Sequence, residues 1–84
     1  MNADLHDGSR RVVGTRQLLK KLAVNGIEAM YIAEDAQEHI KEKLLSLAQA
    51  NGVEIILVAT MNELGRMCGI AVGSAAAGLL KEVH

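Results

Sequence analysis

Apolar and polar positions along the chain change period several times, and each change marks an element. From Thr15 to Val24 the apolar residues Leu18, Leu19 and Leu22 recur at helical spacing, while Arg16, Gln17, Lys20 and Lys21 fill the opposite arc. Asn25-Gly26 closes that helix with a left-handed stop. Ile27 to Ala33 then reads as a strand, with Met30 and Ile32 on one face and Ala29, Tyr31 and Ala33 on the other. Both faces are apolar, so layers are expected above and below it.

Asp35-Ala36-Gln37-Glu38 has the form of a capping box with Asp in place of Ser or Thr, and predicts a second helix with inner face Ile40, Leu44, Leu47 and Ala48. Asn51-Gly52 ends it. Val53 to Ala59 contains Ile55-Ile56-Leu57-Val58, the mark of a short buried strand. Thr60-Met61-Asn62-Glu63 is a second capping box and starts a short helix carrying Leu64, Met67 and Cys68 that stops at Gly69. The tail Ser74-Ala75-Ala76-Ala77-Gly78-Leu79-Leu80 favours helix on alanine propensity, with Gly78 weakening it. Alternating helix and strand units predict an α/β fold, a three-layer α/β/α sandwich around a small sheet.

Size and composition narrow this picture. A chain of 84 residues has room for one domain with a modest core. Tyr31 is the only aromatic, and Pro and Trp are absent, so the core is built from Leu, Ile, Val, Ala and Met. The single Cys68 has no partner for an internal disulfide, and no Cys or His pair has zinc-ligand spacing. A soluble cytoplasmic protein without metal or cofactor is expected, with residues 1–9 as a flexible lead-in and residues 10–84 as the domain. Cys68 reads as a packed thiol rather than a nucleophile. Asp35 with His39, and Glu38 with Glu42, read as a cap and a solvated face. The spacing of Gly65, Gly69 and Gly73 matches neither a nucleotide-binding glycine motif nor a membrane helix.

Charge adds the functional lead. Five of the nine Lys and Arg residues lie between positions 10 and 21, and no acid occurs between Gly8 and Ile27, although the whole chain carries net charge -1. One strongly positive region on a slightly acidic chain points to a phosphate-bearing partner. Arg16, Gln17 and Lys20 cover one arc near a helix start, where side-chain donors and open backbone N–H groups suit phosphates and guanine edges. An ordinary solvated helix face is the alternative. With one aromatic the chain lacks the stacking platform of sheet-based single-strand binders, so recognition would work through shape, helix and loop.

Three blocks carry a resemblance: Gly14-Thr15-Arg16-Gln17-Leu18-Leu19-Lys20, Ile32-Ala33-Glu34-Asp35-Ala36, and Leu64-Gly65-Arg66-Met67-Cys68-Gly69-Ile70 followed by the Ala-rich tail. In order and spacing this resembles the kink-turn-binding ribosomal protein family (the L-seven-A-e family), closest to its short bacterial members, from about Arg10 to Leu80. The resemblance implies a mixed four-stranded sheet in which Arg11 to Val13 and Ala75 to Leu80 are strands, against the propensity reading of the tail. It implies a non-enzymatic protein that binds kink-turn or kink-loop RNA, ribosomal RNA or a riboswitch among the possible sources. Gly14 would let the backbone approach the RNA, and Arg16, Gln17 and Lys20 would reach guanine edges and phosphates. Ile70, Ala71, Val72 and Gly73 would pack on a flipped-out nucleotide, and Thr15 and Gln37 complete the candidate set.

Archaeal and eukaryotic members carry Asn-Glu where this chain has Arg16-Gln17, and Met61 and Val72 stand where some members place basic residues. The expected partner is structured RNA, bound by a monomer, with neither a membrane nor a small-molecule substrate involved. A protein-interaction or assembly module of the same fold with a weakened RNA face is the other reading, motivated by the acidic balance and by apolar Ile70, Val72 and Met61.

Overall fold

The computed structural model describes residues 10–81; the lead-in expected for residues 1–9 and the end of the domain beyond Lys81 lie outside the described residues. Seven elements follow in order: β1 (Arg11–Val13), α1 (Thr15–Ala23), β2 (Ile27–Ala33), α2 (Glu38–Ala50), β3 (Glu54–Val58), α3 (Met61–Met67) and β4 (Ala76–Leu80). The strands form one sheet in the order β1-β4-β2-β3. β4 runs antiparallel to both β1 and β2, and β2 runs parallel to β3, so the sheet is mixed. No described helix is long and apolar enough to cross a membrane.

Two apolar clusters divide on the sheet. Leu18 and Leu22 of α1 and Leu44 and Ala48 of α2 pack with Met30 and Ile32 on one face. Leu64 and Cys68 pack with Ala29, Tyr31, Ala33 and Leu79 on the other. This is the three-layer sandwich, with two helices over one face and α3 over the other. β2 sits between β4 and β3 and buries every residue except Glu28. A bulge explains that exception: Ile27 pairs with Leu80, while Ala29 pairs with the adjacent Leu79. The extra residue, Glu28, turns outward and meets Arg10 at 3.4 Å. Ile27 thereby joins the α1 and α2 face with Met30 and Ile32 instead of the face that strict alternation would give it.

The tail is a strand, as the resemblance implied and as alanine propensity did not. Position decides it: β4 lies between β1 and β2 and buries Ala76, Ala77, Gly78 and Leu79. Small side chains there let α1 come down on the sheet. A Cβ on Gly78 would stand 2.6 Å from Leu18 Cδ1, so the missing side chain is what allows that approach.

β3 corrects a second expectation. It runs from Glu54 to Val58 rather than from Val53 to Ala59, and it is an edge strand. Ile55 and Ile56 are half-buried and Leu57 is 56% exposed, so the apolar run is buried only towards β2.

The two caps fare differently. Thr60 accepts a hydrogen bond from Glu63 N at 3.1 Å and caps α3 as its sequence predicts. Asp35 does not cap α2, which begins at Glu38 with Gln37 as N-cap and no side-chain cap. Its Oδ1 instead accepts from Met61 N at 2.8 Å, fastening the β2–α2 loop to the start of α3. All three helices end on the paired backbone bonds of a left-handed stop. At α1 the left-handed residue is Asn25 (φ 55°) rather than Gly26, with Gly26 N bonded to Lys21 O at 2.9 Å. Gly52 and Gly69 take that role after α2 and α3.

Candidate nucleic-acid interface

The strand directions gather the candidate residues at one edge of the sheet. Val13 pairs with Ala77, Ala33 pairs with Val58, and Ala33 N donates to Ala75 O. The carboxyl ends of β1, β2 and β3 and the amino end of β4 therefore coincide. Helices α1, α2 and α3 each begin just beyond that edge, and the segment 70–75 returns along it into β4. Two distant parts of the chain meet there, since Gly14 N donates to Ala76 O at 3.1 Å.

Gly14 is the N-cap of α1 at φ 94° and ψ 149°, a conformation essentially restricted to glycine. No atom lies within 4 Å of where its Cβ would be, so the backbone faces open space. No side chain caps α1 and its first turn holds no acid, which leaves the leading N–H groups and the positive end of the helix available to an anion. Thr15 is half-buried, while Arg16, Gln17 and Lys20 are exposed. Neither Arg16 nor Lys20 makes an ion pair with another described residue. Lys20 lies about 7.5 Å along the helix from Thr15, close enough for its long side chain to serve the same edge. Gln37 is exposed at the N-cap of α2. The nearby Lys41 is engaged, its Nζ donating to Glu34 O at 2.8 Å and lying 3.6 Å from Glu38.

The other half of the edge is the loop after α3. Ile70 is half-buried against the α3-side core, and Ala71, Val72 and Gly73 are exposed, Val72 by 70%. The loop is fixed to α3 by backbone bonds from Ile70 N to Gly65 O and from Ser74 N to Met61 O, each 3.0 Å. Ser74 Oγ donates to Ala76 O at 2.8 Å. The tightest contact is at Gly65, where a Cβ would stand 2.1 Å from Val72 O. Gly73 passes Met61 closely as well, its Cβ position 3.3 Å from Met61 backbone. Behind the loop, the Arg11 guanidinium donates to Cys68 O at the end of α3. Burial pushes the Cys68 thiol above its ordinary pKa, and the Arg11 charge opposes the shift.

The structure thus places Gly14, Thr15, Arg16, Gln17, Gln37, Ile70, Ala71, Val72 and Gly73 along one edge, with Lys20 further down α1 from it. Sequence reasoning missed the residues that hold this edge in shape. Asp35 looked like a cap, and Gly65, Gly69 and Gly73 matched no known glycine motif. Their roles are close packing at Gly65 and Gly73 and a left-handed stop at Gly69.

Comparison with known proteins gives the family. The model of the Ribosomal protein L7Ae/L30e/S12e/Gadd45 family matches residues 3–83. The chain belongs to this family. It is 46% identical over 68 residues to an RNA-binding protein of Caldanaerobacter subterraneus, a match covering 81% of this chain and 83% of that protein. It is 37% identical over 68 residues to the large ribosomal subunit protein eL8 of Halobacterium salinarum, covering 80% of this chain and 57% of the relative. Among solved structures, the Giardia lamblia 15.5kD RNA binding protein superposes with a TM-score of 0.80 at 27% identity, covering 88% of this chain and 62% of that one. Short bacterial proteins and a longer ribosomal protein thus share this family with the present chain.

Proposed function

We propose that this chain is a non-enzymatic RNA-binding protein that recognises a kink-turn or kink-loop and holds it in its bent form. The observation that carries the reading is the meeting of an uncapped, acid-free helix start with an apolar loop at one sheet edge. The first offers Arg16, Gln17 and Lys20 as donors, and the second offers Ile70 and Val72 as apolar surface. These two chemistries suit the two parts of a sharply bent RNA: exposed base edges with crowded phosphates, and an unstacked base. Relatives named as RNA-binding and ribosomal proteins support it.

In this account the protein acts as a cytoplasmic monomer, ribosomal or ribosome-associated, on ribosomal RNA or a riboswitch. By binding only the kinked state it pulls the RNA folding equilibrium towards it, in proportion to the difference in affinity for the two states. Net charge -1 keeps the long-range attraction small, so affinity depends on local contacts at this edge.

A gel-shift series tests this directly. Wild-type protein should shift a kink-turn duplex and fail to shift, at the same concentration, a duplex whose sheared guanine-adenine pairs are replaced. Equal binding to both refutes kink recognition. Arg16→Ala and Lys20→Ala should each weaken the kink-turn shift. Full binding by the double variant would show that the α1 arc does not hold the RNA, whereas failure of the wild type to shift either duplex would favour a protein-docking role for the exposed Val72 loop instead.

A further inference from the structure

Helices α1 and α2 start at the same sheet edge, so they run parallel, and they lie side by side over the same face. Lys20 is the sixth residue of α1 and Lys43 the sixth residue of α2. At about 1.5 Å per residue each lies some 7.5 Å along its helix from the first residue, on the same side of the sheet. Between the helices runs a shallow groove lined by Leu19, Leu22 and Ala23 of α1 and Leu47 and Asn51 of α2. Lys20 lies one turn before Ala23, and Lys43 one turn before Leu47, so each lysine flanks this groove on the side nearer the sheet edge, one on either helix.

Packed helices are separated by about 8–10 Å, a span that covers roughly two or three phosphates of one strand. Lys43 is exposed and makes no ion pair with another described residue, whereas Lys41 is held by Glu34 and Glu38. Lys21 lies about 200° around α1 from Leu19 and looks away from the groove.

We propose that the RNA footprint continues from α1 onto α2, with Lys43 holding a backbone phosphate of the stem that leaves the kink. This rests on the RNA-binding reading above and adds a second rail to it. Lys20 serves the kink, and Lys43 tracks the duplex beyond it.

The test compares wild-type protein with Lys43→Gln and Lys21→Gln. Each is titrated with a kink-turn RNA carrying long stems and with the same kink trimmed to its shortest stable stems, over a range of salt. One phosphate contact is worth about eightfold in affinity at 0.1 M salt and about 0.9 in the salt slope. Lys43→Gln should lose that much on the long-stem RNA and less than twofold on the trimmed one, while Lys21→Gln stays within twofold on both. Equal losses for the two variants would show a diffuse field rather than a contact. Unchanged binding by Lys43→Gln, or an equal loss on both RNAs, would also overturn the proposal. Wild-type binding that ignores the guanine-adenine pairs would instead defeat the kink reading, leaving the Lys43 and Lys21 difference on a long duplex as a separate result.

Discussion

Replacing Gly65 by alanine puts a methyl group where α3 meets the loop. The new Cβ would stand 2.1 Å from Val72 O, 3.0 Å from Val72 C and 3.1 Å from Gly73 Cα. An ordinary carbon–oxygen contact needs about 3.3 Å, so the loop backbone must retreat by about 1.2 Å. All three atoms are backbone, so no side-chain rotation relieves the clash. Overpacking of this kind costs about 1–3 kcal/mol, and the helix gains about 1 kcal/mol from exchanging glycine for alanine. A clash against fixed backbone belongs at the upper end of that range, so the net loss is about 2 kcal/mol, or a fall in Tm of about 8–16 °C for a domain of this size. Because the loop that moves carries Val72, binding of kink-turn RNA should weaken as well, by about tenfold if one apolar contact worth roughly 1.4 kcal/mol is lost. Thermal unfolding followed by circular dichroism, with fluorescence titration of labelled RNA, reads both effects. Gly52→Ala is the control: Gly52 is left-handed with no atom within 4 Å of its Cβ position, so it should lose about 1 kcal/mol and keep its RNA affinity. If Gly65→Ala unfolds at or above the wild-type temperature and binds RNA as tightly, the loop is not seated as described.

Two further predictions concern the frame of the site. Thr60→Ala removes the oxygen that accepts from Glu63 N, and should cost about 1 kcal/mol in urea unfolding, with Thr60→Ser recovering most of it. For Cys68, the folded pKa is raised by burial, so the unfolded chain releases the thiol proton first. Its contribution to stability is therefore complete below the ordinary value of 9.0 and is lost as pH rises above it. Unfolding curves between pH 8 and pH 10 should show this decline in the wild type and a shallower one in Cys68→Ala.

What the sequence disclosed follows from how local each signal is. The cap at Thr60, the stops after each helix and the two buried faces of β2 depend on neighbours a few residues away, and all were readable. The tail and β3 were not, because each depends on what lies beside it in the sheet. Ala76 and Gly78 between two strands make a tight floor for α1, and an apolar run at an edge is buried on one side only. The bulge at Glu28 is invisible in a pattern that assumes strict alternation. Asp35 shows the same limit: a carboxylate bonds the open N–H that tertiary structure brings to it, here Met61 N, 26 positions away. For the site, the cationic arc of α1 was legible from spacing and the loop from resemblance. Their junction at Gly14 and Ala76, and the role of Gly65 in seating the loop, required the fold.

The central claim is that the α1 start and the loop after α3 act as one surface on one RNA. Titrating isotope-labelled protein with kink-turn RNA and following backbone amide resonances tests it most directly. The account predicts that Gly14 to Gln17 and Ile70 to Gly73 shift together, along a single binding curve. Shifts confined to one of the two segments, or two curves with different midpoints, would contradict it.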